Sequence, residues 1–217
     1  MSTYIPTPRT QVKRLKKRGA YDHATVHAIL DAGFMCHVGF TIEGQPYVIP
    51  TLYARKDDQL YMHGSIAARM LKSAADGIDV CVTVTHVDGL VLARSAFHHS
   101  ANYRSVVVLG KATLVTDPDE RMRALHLITN QVAPGRWEEV RAPNELELKQ
   151  TSVISVPLVE VSAKVRTGGP IDDEEDYALP IWAGVLPLRT EVGPLIPDDR
   201  LQGDAKAPDL ARFRFPR

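Results

Sequence analysis

Apolar and polar residues alternate with a period of two through much of the chain, the signature of half-buried strands. Residues 34–42 and 45–55 are separated by Glu43-Gly44, and Lys56-Asp57-Asp58 separates the second run from 59–63, so the pattern predicts consecutive hairpins. Over 78–87, Val80, Val82 and Val84 alternate with Cys81, Thr83 and Thr85, and Asp88-Gly89 then predicts a turn into a partner strand over 90–96. Two long strands are expected at 103–115 and 152–165. In the second, the apolar phase slips from Ile154, Val156 and Leu158 to Val159, Val161, Ala163 and Val165 beside Pro157, which predicts a bulge.

Helical spacing replaces this alternation in a few places. Asp22 caps a short helix with Val26, Ile29 and Leu30 on one face, and Gly33 ends it. Asp117-Pro118-Asp119-Glu120 opens a longer helix with Met122, Leu125, Ile128 and Val132 in a stripe, and Asn144 caps a short segment over 145–149. The stretch from Tyr61 to Lys72 reads as a strand that turns sharply at Gly64 into a helix capped by Ser65. On such a helix Arg69 and Lys72 share the face of Ser65, which gathers amides, a hydroxyl and two cations where a phosphate could bind. An ordinary capped helix with both cations in solvent is the alternative. Six or seven mostly antiparallel strands with few helices, and no strand-helix alternation, predict a mainly β (α+β) protein built as a small Greek-key barrel.

Composition narrows the partners. The chain has 217 residues with 26 basic and 26 acidic side chains, so no general field draws nucleic acid or an anionic membrane, and a small-molecule substrate is favoured. No apolar run is long enough to span a bilayer, and Pro6, Pro8 and a basic run stand where a signal peptide would need apolar residues, so a cytoplasmic location is expected. Cys36 and Cys81 read as buried free thiols. Residues 1–20 form an acid-free basic arm, either solvated or packed on a partner subunit; 21–169 form the barrel domain. Residues 170–217 form an extended tail that packs on the barrel or on a partner.

Histidines 63, 86, 98 and 99 do not make a metal centre by spacing, because adjacent residues on extended chain point to opposite faces. No Walker loop, G-x-G-x-x-G or G-x-S-x-G motif is present. Several strand positions could instead enclose a flat ring bearing a phosphate. They are Tyr47-Val48-Ile49-Pro50-Thr51, the strand ending at His63, the pair Arg104-Ser105, and Lys164 with Arg166.

Four stretches in consistent order resemble the pyridoxamine 5'-phosphate oxidase-like, FMN-binding split-barrel family, in its branch related to nitroimidazole-resistance proteins. They are residues 44–51 (GQPYVIPT), 60–65 (LYMHGS), 88–100 (DGLVLARSAFHHS) and 102–110 (NYRSVVVLG), with 182–187 (WAGVLP) fitting the same branch. The resemblance implies a six-stranded antiparallel split β-barrel and a homodimer that binds FMN at the subunit interface. It implies that Val48, Ile49, Pro50 and Thr51 lie along the flavin ring, and that His63, Gly64, Ser65, Arg69 and Lys72 surround its phosphate. Arg104 and Ser105 would join from the long strand, and Lys164 and Trp182 from the partner subunit. Some relatives bind a deazaflavin or haem instead; for haem, His98 or His99 would be the axial ligand. Two departures stand out: no arginine has a histidine two residues on, as the substrate motif of true pyridoxamine phosphate oxidases requires, and Ala68 replaces an arginine. The expected function is an FMN-dependent oxidoreductase acting on a small organic molecule, with nitroaromatic compounds among the candidates and His63 as the candidate proton donor. A flavin-binding or sensing module without turnover is the alternative.

Overall fold

The computed structural model describes residues 2–74, 76–203 and 205–213. Its strands are β1 (Gly19–Ala20), β2 (Met35–Ile42), β3 (Gln45–Lys56), β4 (Gln59–Ser65), β5 (Ile78–Leu92), β6 (Ser100–Leu114), β7 (Thr151–Pro157), β8 (Glu160–Arg166) and β9 (Gly184–Pro187). The helices are α1 (His23–Asp31), α2 (Arg69–Ser73), α3 (Pro118–Val132) and α4 (Glu145–Gln150). Strands pair in the order β1-β8-β6-β7-β4-β3-β2-β5-β9, and β6 also pairs with β5. That additional ladder closes a ring of six antiparallel strands, β2, β3, β4, β7, β6 and β5. After two hairpins β5 returns beside β2, which is the Greek-key step expected from the pattern.

Alternation sends one face of each strand inward. Cys36, Val38 and Phe40 of β2 meet Val80, Val82 and Val84 of β5, Val106 and Val108 of β6, and Val161 and Ala163 of β8 in the main core. A second, smaller core lies outside the ring, where Ala54, Tyr61 and Val153 pack against Ala124, Leu125 and Ile128 of α3. The turns carry the backbone that tight hairpins need, with φ of 50° at Glu43, 79° at Gly44 and 51° at Asp57. The Asp22 carboxylate accepts from Thr25 N at 2.8 Å, the Asp117 carboxylate from Glu120 N at 2.6 Å, and Asn144 forms a reciprocal capping box with Glu147.

Four local expectations are corrected. Ser65 is not a helix cap: β4 runs through it, Ala68 occupies the N-cap of the five-residue α2, and Ser65 Oγ accepts only from Ala67 N at 3.2 Å. Gly64 serves close approach rather than a turn, since a Cβ there would lie 2.9 Å from Leu71 Cδ1 of α2. Asp88-Gly89 does not turn the chain, because β5 continues through it with a bulge between Val87 and Gly89 and pairs with β6 on one side and β9 on the other. Residues 152–165 are two strands: β7 pairs with β4, the chain breaks at Leu158 and Val159, and β8 pairs with β6. The phase slip beside Pro157 therefore marks a change of partner.

The basic arm is not a free solvated tail. Tyr4 is buried, its amide donates to Tyr21 O at 2.8 Å, Thr7 Oγ1 donates to Glu160 at 2.7 Å, and Arg9 pairs with the same carboxylate. Lys13, Arg14, Lys16 and Lys17 remain exposed. Cys36 is fully buried as expected, whereas Cys81 points outward and is half-buried. The C-terminal segment is held by the buried Asp172 carboxylate, which accepts from Arg94 N and Nη1 at 3.0 Å each, and by β9 on β5.

Gly89 leaves no room for a side chain, since a Cβ would sit 3.0 Å from Leu186 O. Gly89→Ala is therefore expected to lift β9 from β5 and lower the local opening free energy of 184–188 by about 1–2 kcal/mol. Amide hydrogen exchange should show faster exchange there with protection in β6 unchanged.

Candidate functional site

β3 and β4 pair only from Lys56↔Gln59 to Tyr53↔Met62. Beyond that point β3 continues on β2 alone and β4 on β7 alone, so the barrel splits open between them. The split gives the candidate residues two different surroundings.

The first is the outward face of the sheet β3-β2-β5-β6-β8. Register aligns Pro50, His37, Thr83, Val107 and Ser162 across it, alternating with the inward row Ile49, Val38, Val82, Val108 and Val161. By the same alternation Val48, Pro50, Ser105 and Lys164 share this outward face, and Val48 is 69% exposed. Ile49 packs against the core instead, and Thr51 shares its inward parity.

The second surrounding is the mouth of the split, where α2 crosses the end of β3. The Arg69 guanidinium lies 4.4 Å above the centroid of the Tyr47 ring, which itself stacks on Phe40. Lys72 is exposed in the last turn of α2, where a cation complements the helix dipole. Among the described residues neither Arg69 nor Lys72 has a carboxylate partner. Both are thus available to an anion.

His63 leaves this group. Neighbours on a strand point to opposite faces, so while Gly64 faces α2, His63 faces α3 and α4 with Tyr61. There it lines a cavity of about 410 Å³ with Leu125, Thr129, Trp137, Leu148 and Thr151. Its Nδ1 is enclosed without a hydrogen-bond partner, and burial lowers its pKa from the ordinary imidazole value. The same wall carries Arg141 and Glu147, and a neutral imidazole there is suited to ligate a metal or to exchange a proton.

Other expected residues lie elsewhere. The Arg104 guanidinium forks onto the Asp88 carboxylate at 2.7 and 2.9 Å, beside a cavity of about 660 Å³ that also includes His86, Thr167 and Arg189. Arg104 and Ser105 therefore serve opposite faces of β6. Trp182 is 70% exposed and its ring covers Gly184. His98 Nε2 is paired with Asp173 at 3.1 Å and His99 Nδ1 meets Ser95 O at 3.0 Å, so both rings have partners outside the cavities described. Trp137 and Asp88 line these cavities although the sequence reading gave neither a place in a site. Tyr47 was legible in the ring-binding stretch, whereas nothing local marks Trp137, which opens the 3-10 turn Trp137–Glu139.

The sequence profile described as "Pyridoxamine 5'-phosphate oxidase" matches residues 22–165. No curated protein matches in sequence. Among solved structures, the flavocytochrome Anf3 from Azotobacter vinelandii is 44% identical over 97% of this chain and 99% of its own, with a TM-score of 0.91. The FAD and haem binding protein from Mycobacterium smegmatis is 31% identical over 90% of this chain and 96% of its own, with a TM-score of 0.84. A protein from Bacteroides thetaiotaomicron described as a candidate 5-nitroimidazole antibiotic resistance protein shares the fold at 24% identity, over 66% of this chain and 84% of its own, with a TM-score of 0.56.

Because the folded state holds His63 neutral, the unfolded chain binds more protons between the depressed pKa and the ordinary value of about 6.5. Stability of the cofactor-free protein is expected to fall as pH drops through that window, and His63→Gln to flatten the slope in denaturant titrations.

Proposed function

Because the chain belongs to the pyridoxamine 5'-phosphate oxidase family, we propose that it is a two-cofactor redox protein, binding a flavin on the split barrel and a haem in the cavity of His63. The observation that carries this reading is the His63 ring, kept neutral by burial on the wall of a cavity beside Leu125, Trp137 and Leu148, in a chain 44% identical to a flavocytochrome. The lining would hold such a group through the His63 imidazole, kept neutral by burial, and the apolar side chains of Leu125, Trp137 and Leu148, while the Arg141 guanidinium beside them is already paired with Glu147. His63 then replaces His98 and His99 as the axial candidate, and its role is iron ligation rather than proton donation to the flavin. Bound haem would supply a one-electron centre, and a bound flavin can hand on electrons singly or in pairs.

For the flavin, Val48, Pro50, Ser105 and Lys164 offer one continuous outward face, and Arg69 and Lys72 two unpaired cations for phosphate. The likeness to the FAD and haem binding protein favours FAD over the FMN expected from sequence. A second copy of the chain would cover the same face, burying the exposed Val48 and Met35, which is the homodimer expected from the family resemblance. Under this reading the protein passes electrons between a donor or acceptor at the flavin and another at the haem. Reduction of a nitroaromatic compound would be one such use of the flavin.

Absorption spectra of the purified protein test the proposal directly. His63→Ala is expected to lose the haem Soret band while keeping flavin, whereas His98→Ala and His99→Ala keep both; a Soret band that survives His63→Ala removes His63 as ligand. Arg69→Ala is expected to weaken flavin binding by about 1.5–3 kcal/mol, the scale of a hydrogen bond to a charged group. Fluorescence titration of the stripped protein measures it, and no change would place Arg69 outside the flavin site.

A further inference from the structure

A cluster apart from both cofactor sites joins three segments distant in sequence. His23 and His27 stand one turn apart on α1 and face Asp58 in the β3–β4 turn. His23 Nδ1 lies 3.5 Å and His27 Nε2 3.3 Å from the same Asp58 oxygen. The edge of a tetrahedron with metal-ligand bonds of 2.0–2.1 Å is about 3.3–3.4 Å, so both separations already suit a shared ion. The Tyr4 hydroxyl completes the group at 2.7 Å from Asp58 Oδ1 and 3.0 Å from His27 Nε2.

The ligand-bearing elements are fixed from outside the cluster. The Asp22 cap starts α1, and Asp58 O accepts from Leu158 N at 2.9 Å. The Tyr4 ring stacks on His23 with centroids 3.9 Å apart. Arg55, the nearby cation that would oppose a metal, is neutralised by a forked pair with Asp31. The half-exposed Asp58 carboxylate leaves a path for an ion to enter.

We propose that His23, His27 and Asp58 bind a divalent transition metal of the zinc class, with Tyr4 as a fourth or outer neighbour, and that the ion locks the N-terminal arm onto the barrel. Two imidazoles and a carboxylate form a borderline donor set, which favours zinc over calcium or magnesium. The site is independent of the cofactor reading. Its role is structural, because the ion would tie the arm, α1 and the β3–β4 turn into one unit.

The test uses the full-length protein with its cofactors. Dialysis against zinc and elemental analysis should give about one zinc per chain, and calorimetry should show His27→Ala or Asp58→Asn weakening zinc affinity by roughly tenfold or more. Zinc should also slow tryptic cleavage at the exposed Lys13 and Lys17. X-ray absorption of the zinc-loaded wild-type protein needs no variant to fold, and should show two imidazoles among oxygen donors at about 2.0 Å. Zinc uptake that survives both substitutions, an absorption spectrum without the imidazole pair, or an arm cleaved equally fast with and without zinc would each overturn the proposal.

Discussion

The parting of β3 from β4 after Tyr53↔Met62 is the constraint on which the rest of the structure depends. A ladder that continued would pair the amides of Thr51 and Gly64 and close the barrel. Because it stops, β3 extends outward on β2 and presents Val48 and Pro50, while β4 leans on β7 and turns His63 toward α3. Pro50 suits the opening, since it has no N–H to leave unpaired on the free side of β3. The short α2 fits into the gap because Gly64 lets Leu71 approach.

One strand register thus produces two different surroundings on opposite sides of a single chain segment. His63 and Gly64 are adjacent in sequence, and extended geometry sends one to an apolar cavity and the other beneath a cationic helix. Buried Leu60 and Met62 hold β4 rigid between these two surroundings.

The strands, two of the three hairpins and the caps at Asp22, Asp117 and Asn144 were legible because each is a local device with a local signature. Ser65 and Asp88-Gly89 misled for the same reason. A serine after a glycine has the chemistry of a cap, and Asp-Gly that of a hairpin, but β7 extends the ladder through the first and β9 with β6 through the second. Pairing set by distant strands outweighs a local preference. The sequence grouped Val48 to Thr51 as one stretch, and alternation splits it into outward Val48 and Pro50 and inward Ile49 and Thr51; the side on which His63 falls depends on which face of β4 meets α3. His23 and His27 stand four residues apart in the chain, but Asp58 joins them from a turn that only the fold brings near.

The strand β9 has a consequence for how the chain reaches its native state. It seals the outer edge of β5 from Gly89 to Leu92, yet it is synthesised long after β5, β6 and the ring they close. Until it arrives, a finished barrel displays an unpaired row of backbone groups with Leu90 and Val91 beside it, the template on which strands of other nascent chains can add. The last strand therefore acts as a stopper, and the yield of well-dispersed protein is set by how soon the end of the chain finds that edge.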